Sequence, residues 1–327
     1  MTGATGGLGL SLVDALARAG REVVATGRRE GSDPRLCMHG VRYVRADLAE
    51  GPAPRELCEN VATVFHCAAL SSPWGPAAAF RRANVDATTN LLAEAARHGV
   101  TAFVHVSSPS IYAAMRDRVG ITEADPPADP PLNDYARTKL AAERMVLNAD
   151  GDLRTVVIRP RAIVGPDDNA VLPRLVALAR GGTMPLPNRG RALVEFTDVR
   201  DVVSALLLAE ARIDAARGRA INVSGGRPVS VRDVSARLGG ALGLHVRQLP
   251  VPMALARPLA RLVELFSSTK AGVREPRLTR YALATLAFSQ TFDLSSARCV
   301  LGWSPRHDGL ATLLDQAALL DQAGARR

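Results

Sequence analysis

Hydrophobic positions along the chain follow two rhythms. Short, nearly continuous apolar runs occur at 21–26 (REVVAT), 61–68 (VATVFHCA), 101–106 (TAFVHV) and 154–158 (RTVVI). Their Val and Phe content predicts buried β-strands. Between them, apolar residues recur at helical spacing over 10–19, 83–98 and 135–148, which predicts helices with one buried face. Strands alternating with helices imply parallel β-α-β units, so the predicted fold class is α/β, a Rossmann-type doubly wound parallel sheet. After about residue 161 the rhythm loosens, and Pro173, Pro185, Pro187, Pro228, Pro250, Pro252 and Pro258 punctuate shorter helices. The expected division is a sheet domain over 1–160 and a smaller, mostly C-terminal lobe over 161–327, with 191–217 returning to the sheet domain.

The start of the chain departs from this pattern. A glycine loop, T-G-A-T-G-G-L-G at 2–9, runs straight into a helix at Leu10. In a doubly wound sheet such a loop follows the central strand, yet only Met1 precedes it. A sheet without that strand leaves its neighbours' edges unpaired, so the natural chain is expected to be longer by about half a dozen residues, an ordinary strand's length.

Composition acts mainly by exclusion. With 47 % hydrophobic and 22 % charged residues the chain is ordinarily globular, which argues against disorder, collagen and coiled coil. Apolar runs stay short of the roughly 18 residues of a spanning helix, and no charged-then-apolar leader opens the sequence, so the cytoplasm is the expected setting. The formal charge is +9, and of 41 basic residues only Lys139 and Lys270 are lysine. The arginines are scattered among acids and form no stripe, which argues against nucleic-acid binding. Cys37, Cys58, Cys67 and Cys299 are far apart with no C-x-x-C pair or histidine cluster. They read as reduced, mostly buried thiols, with neither a metal site nor a disulfide framework.

Gly3-x-x-Gly6-x-x-Gly9 carries the first chemistry. Glycines permit the tight turn and let backbone N–H groups approach a pyrophosphate, which the helix N-terminus favours. A plain flexible turn is the alternative, but the following helix and the strand at 21–26 point to a dinucleotide site. About 20 residues past such a loop an NAD site places an acid on the ribose 2′-OH. Here Arg28 and Arg29 stand at the strand's end, with Glu30 beyond the tip. Arginine there pairs with a 2′-phosphate, so NADP(H) is expected over NAD(H); a solvated surface pair is the alternative.

Tyr135 and Lys139, four apart on a helix, share one face. A lysine cation stabilises a phenolate and lowers a pKa that is otherwise about 10. A chain this poor in lysine keeps one at that position. Ser107, Ser108 and Ser110 end the strand at 101–106, where parallel strands meet a ligand crevice. A serine there can hold a carbonyl or alcohol oxygen, and a serine-rich turn is the structural alternative. His66 and His105, inside apolar strands, read as core histidines. Asp47 reads as an acceptor for an adenine amino group or as a helix N-cap.

Together these residues resemble the extended short-chain dehydrogenase/reductase superfamily over nearly the whole chain. The matching pieces are the loop at 2–9, A-D-L at 46–48, V-F-H-C-A-A at 64–69, S-S-P-S-I-Y at 107–112, Tyr135 with Lys139, I-R-P-R-A-I-V-G-P at 158–166, F-T-D-V-R-D-V at 196–202 and L-G-W-S-P at 301–305. Within it the chain looks most like the 3β-hydroxysteroid dehydrogenase branch, which includes bacterial 2-alkyl-3-oxoalkanoate reductases. Pro73-Trp74-Gly75, Ser108-Pro109-Ser110, Arg159-Pro160-Arg161, V-L-P-R-L at 171–175 and R-E-P-R-L-T at 274–279 carry that likeness.

The resemblance implies that Tyr135 is the general acid/base, Lys139 its modulator and ribose anchor, and Ser108 the donor to the substrate oxygen. It implies a cofactor held by Gly3, Gly6, Gly7, Leu8, Gly9, Arg28, Arg29, Asp47, Leu48, Cys67, Ala68, Ala69, Ser107, Pro160 and Ile163. Trp74, Ser108, Pro109, Ser110 and Arg161 would meet a bulky apolar ketone or secondary alcohol, with the proline-rich 126–131 as a wall. A homodimer through the helices at 83–98 and 135–148 is also implied. The apolar 251–266 would cap the pocket, touch a membrane surface weakly, or form a lid or core helix of the lobe. The last is favoured because Pro252 and Pro258 interrupt it.

Two other readings stay open. A nucleotide-sugar epimerase uses the same scaffold; a sugar dehydratase would carry an Asp-Glu pair where Pro109-Ser110 stand. A non-catalytic NADP(H) sensor is disfavoured by the Tyr135/Lys139 pair.

Overall fold

The computed structural model describes residues 1–149, 151–267, 276 and 278–325. Its centre is a parallel sheet of β1 (Val23–Gly27), β2 (Val41–Arg45), β3 (Thr63–His66), β4 (Ala102–Val106), β5 (Arg154–Pro160) and β6 (Arg219–Val223). β1 pairs with β2, and β3, β4, β5 and β6 pair in that order. The two sets are joined by Thr2, which bridges Thr26 on one side and His66 on the other. Thr2 N–H donates to the Phe65 carbonyl at 2.9 Å, and Thr26 N–H to the Met1 carbonyl at 2.9 Å. Met1 and Thr2 therefore stand where the central strand of such a sheet runs. The chain's winding direction reverses there, which opens a crevice beyond the strands' C-terminal ends.

Both faces of the sheet are covered, which is why its strands read as unbroken apolar runs. Leu12, Val13, Val104, Ile158 and Leu206 belong to one buried cluster. Leu57, Leu91, Phe103, Val146 and Val157 belong to another. Helix α1 (Gly7–Arg18) begins inside the glycine loop, earlier than the apolar pattern suggests, because Gly6 already serves as its N-cap. The predicted helix at 83–98 divides into a wide π-turn at Arg82–Asp86 and α2 (Ala87–Arg97). Helix α3 (Asp134–Leu147) starts at Asn133, whose side chain accepts from the Ala136 N–H at 2.9 Å.

The second lobe packs α4 (Leu172–Arg180) and α6 (Val231–Ala241) around Val176, Leu186, Phe196, Val234 and Leu238. Between them in sequence, α5 (Val199–Ala211) lies against α1 and the sheet. The return to the sheet thus runs on through β6.

The prolines in 251–266 act differently from the sequence expectation. Pro252 is the N-cap of α7 (Met253–Phe266), and the helix continues through Pro258. A proline removes one N–H from the ladder, and tertiary packing here outweighs that loss. Ala256 and Ala260 are buried against Leu283 and Ala287, while Leu255, Leu259, Leu262, Leu265 and Phe266 face outward. Among the described residues no helix is long and apolar enough to cross a membrane, and no cluster suited to a metal ion occurs. Lys270, and Arg274, Glu275 and Arg277 of the 274–279 motif, lie outside the described residues.

Candidate active site

A cavity of about 830 Å³ occupies the crevice, running from the glycine loop into the second lobe. The loop is built so that only glycine fits two of its positions. Gly3 sits at φ +69°, and a Cβ there would lie 2.7 Å from the Ala68 nitrogen. At Gly9 a Cβ would come within 2.0 Å of the Gly3 carbonyl oxygen. Gly6, Gly7 and Leu8 complete the cradle, and α1 opens on the cavity without a side-chain cap. Uncapped N–H groups and the positive end of a helix suit an anion. A Cβ on Gly7 would lie 2.7 Å from the Asp167 carbonyl oxygen, so the segment after Ile163 closes against the loop.

Arg28 and Arg29 line the cavity at the tip of β1. The Arg29 guanidinium donates to the Thr5 carbonyl, and the Tyr43 hydroxyl donates to the Gly27 carbonyl at 3.0 Å. Glu30 pairs with Arg45 and does not line the cavity. Asp47, Leu48, Cys67, Ala68, Ala69, Ser107, Pro160 and Ile163 all reach the wall. Asp47 also caps its own turn, accepting from the Ala49 N–H at 3.1 Å.

The reactive hydroxyls meet on the opposite wall. The Tyr135 hydroxyl has Ser108 and Ser71 beside it on the cavity wall. Burial pushes its pKa above the ordinary tyrosine value, and the two serines pull the other way. One turn on, the buried Lys139 donates to the Val106 carbonyl at 2.6 Å. Burial pushes its ammonium down to about 8, against the opposing charges of Glu143 and Cys67. Ser108 also accepts from the Ser110 N–H at 3.2 Å and caps the turn Pro109–Tyr112, the structural role the sequence offered as its alternative.

Three supports were invisible as site residues in the sequence. Ser71 reaches Tyr135 from the loop after β3. Asn84 binds that loop to α3: its Oδ1 accepts from the Leu70 N–H at 2.7 Å, and its Nδ2 donates to Thr138 Oγ1 at 3.0 Å. Glu143, four residues after Lys139 on the same face, forms a buried bidentate pair with Arg159 of β5. Only Glu143 left a sequence signal, through that spacing.

Some expected residues lie elsewhere. Ser72 holds a tight turn, donating to the Trp74 carbonyl at 2.8 Å, and the cavity wall there is Pro73, not Trp74. Ser110 is buried in its turn and does not line the cavity, whereas Pro109 and Arg161 do. The 126–131 stretch is also absent from the wall, held to the turn by the Ala128 N–H on the Ile111 carbonyl at 2.7 Å. His66 sits between Thr2 and Thr88 at 2.8 and 2.9 Å, and burial lowers its pKa to about 3. His105 is buried beside it, and both are core residues.

A doubly wound sheet with a glycine loop at its switch point defines the fold class of dinucleotide-binding proteins. The model of the NAD dependent epimerase/dehydratase family matches residues 1–224, and the chain belongs to that family. It is 35 % identical over 313 residues to "Uncharacterized protein YbjS" of Escherichia coli (strain K12), covering 93 % of this chain and 92 % of that one. It is 31 % identical over 327 residues to the 2-alkyl-3-oxoalkanoate reductase of Stenotrophomonas maltophilia (strain K279a), covering 97 % and 98 %. Among solved structures, MoeE5 in complex with UDP-glucose and NAD is similar at TM-score 0.71 and 29 % identity, over 96 % of both chains. Relatives named as reductases and dehydrogenases of keto and hydroxy compounds place the chain among the oxidoreductases.

Proposed function

We propose that this oxidoreductase uses NADP(H) to interconvert a ketone and a secondary alcohol on a bulky, largely apolar substrate, with Tyr135 as general acid/base. The observation that carries the reading is that Tyr135 and Ser108 stand together on the cavity wall one helical turn from the buried Lys139, with Leu175, Leu178, Val194 and Val234 further along the same cavity. In reduction, Ser108 donates a hydrogen bond to the carbonyl oxygen and Tyr135 delivers the proton to it as charge develops. Oxidation runs the same proton back to Tyr135. A bound nicotinamide dinucleotide supplies the hydride donor or acceptor. The α1 N-terminus would hold its pyrophosphate, Asp47 and Leu48 its adenine, and Lys139 a ribose hydroxyl.

NADP(H) is favoured because Arg28 and Arg29 line the cavity at the tip of β1, while Glu30, the acid next to them in sequence, pairs with Arg45. We assign cofactor binding to 1–160 and substrate binding mainly to 161–327. The expected assembly is a cytoplasmic homodimer through α2 and α3.

The test is oxidation of NADPH and NADH with bulky 3-oxo acids and esters, steroid ketones and nucleotide sugars, with Tyr135→Phe as the blank. NADPH consumed with an apolar ketone, and lost by roughly 10²- to 10⁴-fold in the variant, supports the reading. The likeness to a UDP-glucose-bound structure favours a second one, a nucleotide-sugar epimerase. That reading requires a nucleotide sugar converted with no net change in cofactor.

A further inference from the structure

We infer that Tyr43 and Arg45 are positioning residues for cofactor choice, a frame on β2 that presents Arg28 and Arg29 to a ribose 2′-phosphate and bars the place of an acid. This rests on the NADP(H) reading above and goes on to name what enforces it. Both arginines line the cavity, whereas Tyr43 and Arg45 stand behind them, off its wall. Tyr43 and Arg45 are two apart on β2, so they project from one face of that strand. The register sets Arg45 beside Gly27, the last residue of β1. From there both side chains reach the backbone of segment 27–31. The Tyr43 hydroxyl lies 3.0 Å from the Gly27 carbonyl and 2.5 Å from that of Arg29, sharing its one proton between them. Arg45 Nε donates to the Arg28 carbonyl at 3.1 Å, and its Nη1 pairs with Glu30. Three consecutive carbonyls, of residues 27, 28 and 29, are thus taken up by two side chains.

The glycines at either end of the segment show how close the fit is. A Cβ on Gly31 would lie 2.4 Å from Tyr43 Cδ1, so the returning backbone packs directly onto the ring. A Cβ on Gly27 would lie 2.9 Å from Thr5 Oγ1 and 3.1 Å from the Tyr43 hydroxyl oxygen. The end of this strand is where an NAD site carries its acid, and here the space for a side chain is already filled. Glu30, the acid of the segment, is held away from the cavity by Arg45. Arg29 is braced once more by donating to the Thr5 carbonyl, which ties the segment to the glycine loop. A guanidinium on a fixed backbone loses less freedom on meeting a phosphate than one on a loose turn. The frame should therefore be felt in the affinity for a 2′-phosphate and not in that for the rest of the nucleotide.

The experiment titrates adenosine 2′,5′-bisphosphate and 5′-AMP, then NADPH and NADH, into the protein by calorimetry with no ketone present. The proteins compared are the wild type, Tyr43→Phe, Arg45→Met and the double variant Arg45→Met/Glu30→Gln. The wild type should bind the bisphosphate roughly 10- to 100-fold more tightly than 5′-AMP, the worth of charge-assisted bonds to one phosphate. Tyr43→Phe keeps the ring under Gly31 and removes only the hydroxyl, and should cut that ratio by roughly 3- to 10-fold with 5′-AMP binding unchanged. Arg45→Met should cut it further by releasing Glu30, and Glu30→Gln in the double variant should restore part of the loss. NADPH and NADH should follow the same order. A wild-type preference that survives in both Tyr43→Phe and Arg45→Met overturns the proposal and leaves the NADP(H) reading standing, as does a loss that falls equally on 5′-AMP. A wild type that binds the two nucleotides alike removes the NADP(H) reading and the frame with it.

Discussion

Replacing Glu143 by alanine separates what fastens the active helix from what acts on substrate. Its carboxylate forms a two-point pair with Arg159, at 3.0 Å for the Nε bond, and the two side chains are only 2 % and 8 % exposed. Truncation leaves a buried guanidinium with the Tyr112 hydroxyl as its remaining partner, which costs roughly 3–5 kcal/mol. At about 2–4 °C per kcal/mol for a chain of this size class, the melting temperature should fall by roughly 10 °C. Glu143 also supports the charge on Lys139. Without it the lysine's pKa drops below its present value of about 8, and the alkaline limb of the pH–rate profile moves to lower pH. The assay is thermal and urea unfolding of Glu143→Ala, Arg159→Met and the double variant Glu143→Leu/Arg159→Met, together with pH profiles of kcat. The double variant buries no charge and should be less destabilised than either single one. Losses that simply add in the double variant, or a Glu143→Ala protein that melts with the wild type, would refute the reasoning.

Three further outcomes follow from the geometry. Gly9→Ala drives a methyl group to 2.0 Å from the Gly3 carbonyl oxygen, so the loop must open; dinucleotide binding, measured by calorimetry, should be lost. Arg28→Ala should raise KM for NADPH by roughly 10-fold, the worth of one charge-assisted contact, while leaving KM for NADH nearly constant. Lys139 has its pKa lowered by burial from 10.5 to about 8, so between those values the folded chain has released a proton that the unfolded chain keeps. Stability should therefore rise with pH across that window and carry no Lys139 slope below it. Lys139→Met should flatten the rise in urea midpoints.

The sequence determined the α/β class and most of the candidate site, because both depend on short-range signals. Unbroken apolar runs marked strands covered on both faces, and helical spacing placed Tyr135 and Lys139 on one face of α3. The glycine spacing located the cradle, since only a residue without a Cβ tolerates those close approaches. Element boundaries were less legible: α1 starts inside the loop because Gly6 caps it, and α7 passes through Pro258 because Ala256 and Ala260 are held by Leu283 and Ala287. Long-range partnerships were not legible at all. Ser71 beside Tyr135, Asn84 between the β3 loop and α3, the exclusion of Trp74 from the wall, and the buried pair of Glu143 with Arg159 arise from separate segments of the chain. A residue's type and spacing state what it can donate or bury. Which groups remain to satisfy it is fixed only when packing decides what water it loses and what stands within hydrogen-bond reach.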